Sequence, residues 1–330
     1  MALRNAPTNG KSTLTIDTHD VIVRHLRVRP GRANPGVMVD SNSAIDIGTA
    51  RPGAAYNIVI DHCSATWAID GNLDTGSEAH DFTVQWSIVS EGLNLAGHSK
   101  GAHSRAMGFY VGADDTNQDI NGRISVHHNL MSHVEYRVPS IAQKFGRVEV
   151  IDNVIYHTTN QGININATAH GVAGPSKNRF INNYLLRTAS PRRDLGIPDG
   201  HHPGLLVHVK GNIGPSRLTE DEPDLLTLDT RPDPGCPVCT STSPATLHNH
   251  GTTDPLCTSS TATFPYPAIR VTEDSAPLAL QMISETGAFA GEARVGATRP
   301  RRDAVDARIL SQLQSYLADP SASDTIPVPG

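Results

Sequence analysis

The sequence predicts an all-β protein, a right-handed parallel β-helix with a C-terminal helix and long loops. The first observation is a repeated phrase, a short β-branched strand followed by a polar turn, at spacings of about two to three dozen residues, as in solenoids. It occurs at residues 21–25 (VIVRH), 58–62 (IVIDH), 82–86 (FTVQW), 124–129 (ISVHHN), 148–153 (VEVIDN), 179–183 (RFINN) and 207–212 (VHVKGN). Such repeats bury a core only by stacking on their neighbours.

The second observation is an asparagine at the equivalent place after four successive strands: Asn129, Asn153, Asn183 and Asn212. Asparagine tolerates the left-handed backbone of a sharp corner, and its amide can bond the coils above and below. The alternative is an antiparallel sandwich, which needs close Asn-Gly or Asp-Gly turns between strands. Asn121-Gly122 and Asp199-Gly200 do not join strands at two-residue spacing. The pattern therefore favours the β-helix.

Composition supports a turn-rich β protein. Hydrophobic residues make up 38% of the 330 residues and aromatic residues 5%, with 28 Gly and 23 Pro. The net charge of −6 gives no reason to expect a nucleic-acid partner, and no apolar run has the length of a membrane span. We expect a monomer. The N-terminus lacks the apolar segment of a signal peptide and begins within the pattern, which predicts a truncated or processed product.

The domain prediction is one catalytic β-helix over residues 1–217, a long loop excursion over 218–265, and a C-terminal segment of the same domain over 266–330. The excursion is rich in Pro, Thr, Ser and Asp. In the C-terminal segment, Val305, Ile309 and Leu313 lie four residues apart, with Leu310 beside them. This spacing predicts a helix that packs on the solenoid, followed by a frayed tail after Asp319.

Three acids stand close together in the sequence: Asp61 ends a strand, and Asp70 and Asp74 flank the next corner. If stacking brings them onto one face, their charges call for a cation, and oxygen-only ligands favour Ca²⁺. The alternative is that one or two of them cap corners, as the asparagines do.

Two basic segments are candidates for contact with an anion. Arg137 follows a strand and stands just before Pro139, and it is either a surface residue or a partner for a polyanion. His98, Lys100 and His103 belong to a glycine-rich loop. The two histidines lack a third metal ligand in the pattern, so a loop that meets an anionic substrate is the better interpretation.

The four cysteines suggest little. Cys63 lies in a strand motif as a small buried hydrophobic residue. Cys236, Cys239 and Cys257 lie in the polar excursion near two histidines. A zinc site and a loop disulfide with one unpaired cysteine both remain open.

Several motifs resemble those of pectate lyases of polysaccharide lyase family 1, especially the compact bacterial members. They are residues 60–67 (IDHCSATW), 70–74 (DGNLD), 85–93 (QWSIVSEGL), 98–103 (HSKGAH), 127–130 (HHNL), 137–139 (RVP) and 301–306 (RRDAVD). They run in order over about residues 12 to 310, which makes the resemblance more specific than any single motif.

The resemblance implies calcium-dependent β-elimination of pectate, an acidic polysaccharide. It assigns Ca²⁺ to Asp61, Asp70 and Asp74, and it makes Arg137 the base that removes the proton beside the substrate carboxylate. Substrate binding falls to His98, Lys100, His103 and Lys144, with the lysines spreading the developing negative charge. Because arginine is ordinarily charged and must lose its proton to act as a base, this role predicts an alkaline pH optimum for activity. A polymer too large to enter a cell predicts secretion.

Two other functions remain open on the same scaffold. A glycoside hydrolase would use two or three of the carboxylates as acid and base, with no essential arginine. A non-catalytic β-helix that binds glycans would need neither the three acids nor Arg137. It remains open because the fold alone does not decide the function.

Overall fold

The computed structural model describes residues 2–4, 12–34, 36–48, 53–76, 78–101, 104–110, 123–142, 147–159, 162–165, 177–187, 195–197, 206–214, 227–228, 274–288 and 302–324. Within these ranges the chain winds through three parallel sheets, and each turn of the winding adds one strand to each sheet in the order A, B, C. This architecture is a parallel β-helix, so the predicted fold class is confirmed.

The strands are numbered in chain order. Sheet A contains β1 (Ala2–Leu3), β4 (Arg27–Val28), β7 (Ser64–Thr66), β10 (Ile88–Ser90), β13 (Leu130–Val134), β16 (Val154–Thr158) and β19 (Tyr184–Leu186). Sheet B contains β2 (Leu14–Ile16), β5 (Ile45–Ile47), β8 (Gly71–Thr75), β11 (Arg105–Tyr110), β14 (Ser140–Ala142), β17 (Ile163–Ile165), β20 (Leu195–Ile197) and β22 (Thr227–Leu228). Sheet C contains β3 (Val21–Arg24), β6 (Tyr56–Asp61), β9 (His80–Gln85), β12 (Arg123–His127), β15 (Arg147–Ile151), β18 (Lys177–Ile181) and β21 (Leu206–Lys210).

The seven strands predicted from the repeated phrase are the seven strands of sheet C. Their alternation sets the register, because side chains of a strand point to opposite faces in turn. In β9, Phe82 and Val84 are buried. Val84 lies in register with Ile60 of one neighbouring coil and Val126 of the other. Apolar residues thus stack into columns, and these columns form the core.

The predicted asparagine ladder is present at the corner that follows sheet C. Asn129, Asn153 and Asn183 are buried, and each side-chain oxygen accepts a backbone N–H from the preceding coil. Asn212 continues the ladder by accepting from the N–H of Asn183 at 2.9 Å. The side-chain amides donate to backbone carbonyls, which satisfies polar groups that the corner would otherwise bury. Cys63 is buried and free, as expected.

Helices occur, within the described part of the chain, only near the C-terminus: α1 (Ala276–Met282), a short 3₁₀ helix (Ile283–Glu285) and α2 (Ala304–Ala318). The side chain of Asp303 caps α2 by accepting from the N–H of Asp306. Ile309, Leu310 and Leu313 of α2 are buried against the outer face of sheet A, so this helix packs on the solenoid as predicted.

The predicted excursion over residues 218–265, with Cys236, Cys239 and Cys257, lies outside the described residues except for β22. The sequence predicts a frayed tail after Asp319. In the structure residues 319–321 and 323 are exposed, while Ala322 and Asp324 contact Arg187 and His157. The side chain of Asp324 is 1% exposed and lies 2.8 Å from His157. The reason is a set of polar groups on sheet A that no periodicity argument takes into account. No helix among the described residues has the length and apolarity needed to cross a bilayer.

Candidate functional site

Two acidic residues stand side by side on the outer face of sheet B. Asp46 of β5 lies in register with Asp74 of β8, and both are only 8% exposed. Their neighbours Ile45 and Leu73 point into the core, so alternation directs both carboxylates to the opposite face. Hydroxyl groups accompany them, because Ser12 donates to Asp46 at 3.0 Å and Ser43 donates to Asp74 at 2.7 Å.

Asp70 joins this pair from the turn just before β8. Arg105, the first residue of β11, donates from Nη1 to Asp70 Oδ1, and its guanidinium carbon lies 5.4 Å from the ring centre of Tyr136. A Cβ built at Gly71 would lie 2.0 Å from Asp74 Oδ2, so a larger residue there would displace the Asp74 carboxylate. The missing side chain gives the Asp74 carboxylate its space beside the Asp70 turn.

Arg137 approaches the same acids from the turn that leads into β14. Its Nη1 lies 4.0 Å from Asp74 Oδ1, and its side chain is 16% exposed. The residue has a φ of 64° and precedes the cis Val138–Pro139 peptide. Its carbonyl accepts from the N–H of Met107 at 2.8 Å, which fixes the turn to β11.

The electrostatics of the site fit a cation. Burial, and then the charges of Asp70 and Asp46, raise the pKa of Asp74 to about 7, against the opposing effect of Arg137. Asp74 Oδ1 is buried and accepts no hydrogen bond from the described residues. Carboxylate oxygens repelled in this way are the ligands that Ca²⁺ prefers. The carboxylates of Asp46, Asp70 and Asp74 are not all within 4.8 Å of one another. Among the described residues, potential ligand atoms come that close only in two trios: His133, His157 and Asp324, and His128, Asp152 and Asp274.

The structure does not bring Asp61 together with Asp70 and Asp74. Asp61 ends β6 in sheet C, where its carboxylate accepts from Arg24, from Gln85 Nε2 at 3.1 Å and contacts His62 Nδ1 at 2.7 Å. After Asp61 the chain passes through sheet A before it reaches β8, so residues that are close in sequence lie on different sheets.

The predicted substrate-binding residues are described in part. His98 is 4% exposed, with Nδ1 3.7 Å from Asp40 and Nε2 3.8 Å from Asp70, so it lies next to the acidic group. Lys100 is exposed in the adjoining turn, and its N–H donates to His98 Nδ1 at 3.1 Å. His103 and Lys144 lie outside the described residues.

Two residues of the group were missed from sequence: Asp46 and Arg105. A signal for Asp46 exists, because Ile45-Asp46-Ile47 has the apolar–acid–apolar alternation that a strand carrying an outward acid requires. Arg105 carries no such signal, since its partner Asp70 is 35 residues away and only coil stacking joins them.

The fold and this site define a class: a parallel β-helix that carries an acidic group with an adjacent arginine on the outer face of one sheet. No protein-family model matches the sequence. The chain is 25% identical over 311 residues to a protein of Aspergillus fumigatus named "Probable pectate lyase C", covering 93% of this chain and 58% of that one. A protein of the same name from Emericella nidulans is 29% identical over 178 residues, covering 54% of this chain and 34% of that one.

Solved structures give the same answer for the fold. An arginine-to-lysine mutant of Bacillus subtilis pectate lyase matches with a TM-score of 0.50 at 15% identity, covering 85% of this chain and 64% of that one. A pectate lyase solved for its substrate specificity and anti β-elimination mechanism matches with a TM-score of 0.54 at 15% identity, covering 87% and 67%. In sequence and in fold the chain is a relative of pectate lyases, so the resemblance seen in the motifs is confirmed. The chain spans about one third to three fifths of the length of these curated relatives.

Proposed function

We propose that this chain is a secreted, monomeric, calcium-dependent pectate lyase that cleaves polygalacturonate by β-elimination and leaves unsaturated oligogalacturonides. The observation that supports it most is the position of Arg137, 4.0 Å from an acid of the sheet B group. An arginine beside clustered carboxylates serves a reaction that needs both a cation and a base. The names of the relatives point to the same substrate.

The carboxylates of Asp70, Asp74 and Asp46 are the residues that would hold the ion. When bound, Ca²⁺ would neutralise a substrate carboxylate and so make the proton on the adjacent carbon more acidic. Arg105 keeps the Asp70 carboxylate turned toward the group through its hydrogen bond. His98, Lys100, His103 and Lys144 remain proposed contacts for the other uronate groups of the polymer.

Arg137 is the proposed base. It takes the proton from the carbon beside the substrate carboxylate, the electron pair forms a carbon–carbon double bond, and the bond to the glycosidic oxygen breaks. Water supplies the proton for the departing oxygen. Since arginine is charged at ordinary pH, this step predicts an alkaline optimum. The hydrogen bond from the N–H of Met107 to the Arg137 carbonyl fixes the backbone from which the side chain reaches the acids.

One observation favours a second candidate, a glycoside hydrolase. A carboxyl whose pKa is raised to about 7, as at Asp74, is suited to act as the general acid that a hydrolase needs. In that case Asp46 or Asp70 would supply the second carboxylate, and neither Ca²⁺ nor Arg137 would be essential.

The first experiment incubates the purified protein with polygalacturonate at alkaline pH, with calcium and then with a chelator. Ultraviolet absorbance and reducing ends are followed together. The lyase requires a calcium-dependent rise in both signals. Reducing ends without absorbance would instead identify a hydrolase, and a flat result in both would leave a glycan-binding β-helix.

The matched variants are Arg137→Lys and Arg24→Lys. Loss of the base is expected to lower kcat by about 100- to 10,000-fold without a large change in calcium affinity. Arg24 lies on sheet C with a side chain 57% exposed, so its replacement should leave kcat within about twofold. Full activity in Arg137→Lys would remove arginine from the mechanism.

A further inference from the structure

A second group of metal-binding side chains lies on sheet A, where the C-terminal tail returns to the β-helix. His133 of β13 and His157 of β16 stand opposite each other on neighbouring strands, because the residues on either side of them pair in register. Asp324 lies on the tail that follows α2. One potential ligand atom of each lies within 4.8 Å of the other two. We propose that these three residues bind a divalent transition-metal ion of the zinc type, which fastens the tail to the coils.

The distances between the ligand atoms suit a tetrahedral ion. Asp324 Oδ2 lies 2.8 Å from His157 Nδ1 and 3.4 Å from His133 Nε2. Bonds of about 2.0–2.1 Å in a tetrahedral zinc site place ligand atoms about 3.3 Å apart. Only small side-chain movements are therefore needed to admit the ion. Two imidazoles and one carboxylate select zinc-like ions over Ca²⁺, which takes oxygen ligands.

His133 is prepared as a ligand. Its side chain is fully buried, and Nε2 points to Asp324 without forming a hydrogen bond. On the other side of the ring, Nδ1 lies 3.1 Å from Ser132 Oγ, which lies 2.8 Å from Ser90 Oγ. This chain of hydroxyls orients the ring, as outer partners of metal-binding histidines do.

The two histidines converge because their backbones are alike. Both have a φ of 53°, and their rings lie 5.2 Å apart between centroids. A left-handed residue at the same place in successive coils turns both side chains outward to the same spot. The pair would be dispersed if either residue kept the strand conformation.

Further groups hold Asp324 from the outside. Tyr156 donates its hydroxyl to Asp324 Oδ2, and Arg187 Nη1 donates to the same oxygen at 3.1 Å. For Oδ2 to bind the ion, at least one of these donors would move to Oδ1, where it would form an outer hydrogen bond to the ligating carboxylate. The metal would replace the proton between His157 and Asp324.

The test titrates the full-length chain with Co²⁺, a visible probe for zinc sites, in the presence of excess Ca²⁺. We expect one equivalent with ligand-field bands of a four- or five-coordinate ion, without a thiolate charge-transfer band, and displaceable by Zn²⁺. His157→Asn and Asp324→Asn should each weaken binding about 100-fold. Asparagine is chosen for position 157 because it tolerates the left-handed backbone.

The matched control is His62→Asn. His62 also has a positive φ, of 48°, and a side chain 25% exposed beside an acid at 2.7 Å, but it belongs to neither described trio. It should bind Co²⁺ as the unchanged protein does. The proposal is overturned if the unchanged chain binds no Co²⁺, if the two variants bind it equally well, or if a thiolate band places the ion on Cys236, Cys239 or Cys257. None of these outcomes depends on lyase activity.

Discussion

Residues with left-handed backbones carry much of the polar chemistry of this chain. His62, Trp86 and His128 each follow a strand of sheet C and have φ values near 50°. Because they occupy equivalent places in stacked coils, their rings stack, with centroids 6.0 Å and 4.4 Å apart. Positive φ in such residues costs free energy that only surrounding structure can offset. Here the stacking of one coil on the next provides that offset.

At the same scale, single substitutions distinguish the proposed calcium ligands from Asp61. Asp46→Asn is expected to raise the calcium concentration for half-maximal activity by about tenfold or more, because it removes a charged oxygen ligand. Asp61→Asn should leave that concentration unchanged, since Asp61 is bound to Arg24 and Gln85 on another sheet. Calcium titrations of activity compare the two. The reverse order would restore Asp61 as a ligand and remove Asp46.

Asp61 also predicts an acid limit to stability. Burial disfavours its charge, but hydrogen bonds from His62 and Gln85, with Arg24, outweigh burial and lower the pKa of Asp61 to about 2. A folded pKa below the unfolded one adds stability that is present above about pH 4 and lost as pH falls through 2. Asp61→Asn should lower the free energy of unfolding by about 1–2 kcal/mol at pH 6 and by clearly less at pH 2.

Urea unfolding at a series of pH values measures this difference. The control is Asp20→Asn, an acid beside His19 whose side chain is 64% exposed, and which should show much less dependence on pH. A constant difference between Asp61→Asn and the unchanged protein from pH 6 to pH 2 would contradict the assignment.

At the scale of elements, the asparagine ladder adds a continuous side-chain link between coils to the backbone hydrogen bonds of the sheets. Asn153 is fully buried, accepts from the backbone and side chain of Asn129, and donates to Val126 and Asn183. Each of these bonds crosses from one coil to the next. The ladder therefore helps to set the spacing of successive corners along the axis of the β-helix, and with it the register of the sheets.

Asn153→Ala is expected to destabilise the protein by about 2–4 kcal/mol, because it leaves buried backbone groups of two coils without partners. Asn212→Ala, at the half-buried end of the ladder, should cost clearly less. Thermal or urea unfolding measures both. Equal losses at the two positions would show that the ladder does not act through buried polar groups.

At the scale of the whole molecule, α2 covers the outer face of sheet A and joins distant parts of the chain. The side chain of Arg29 is 1% exposed and donates to Asp303 and Asp306 at the start of the helix. Arg308 donates to Glu91 at 2.5 Å further along. These ion pairs fix the direction of the helix, while its apolar side chains supply the burial.

Leu313→Ala is expected to lower the free energy of unfolding by about 2–4 kcal/mol, since Leu313 is fully buried between α2 and sheet A. Leu317→Ala removes the same atoms from a side chain 44% exposed and should cost less than about 1 kcal/mol. Urea unfolding of the two variants gives the comparison. A small effect at Leu313 would mean that the helix is held by its ion pairs instead.

The sequence alone was enough to predict the repeating strands of the β-helix and the polar corners that follow them. The strands of sheet C, the asparagine ladder and the C-terminal helix all follow from signals carried by neighbouring residues: alternation, turn-forming side chains and helical spacing. The candidate site residues Arg137, Asp70 and Asp74 could also be chosen this way, because the motifs that contain them are short and continuous.

Only the tertiary structure decided which acids share a face. Asp61 and Asp74 are near neighbours in the chain, yet they lie on sheets C and B. Asp46 lies beside Asp74, because their strands are neighbours in sheet B. The attachment of Asp324 to His157 was equally invisible in the sequence. The physical reason is that a solenoid brings residues together by the pairing of whole coils. The loops between strands vary in length, so distance along the chain does not measure distance across a sheet.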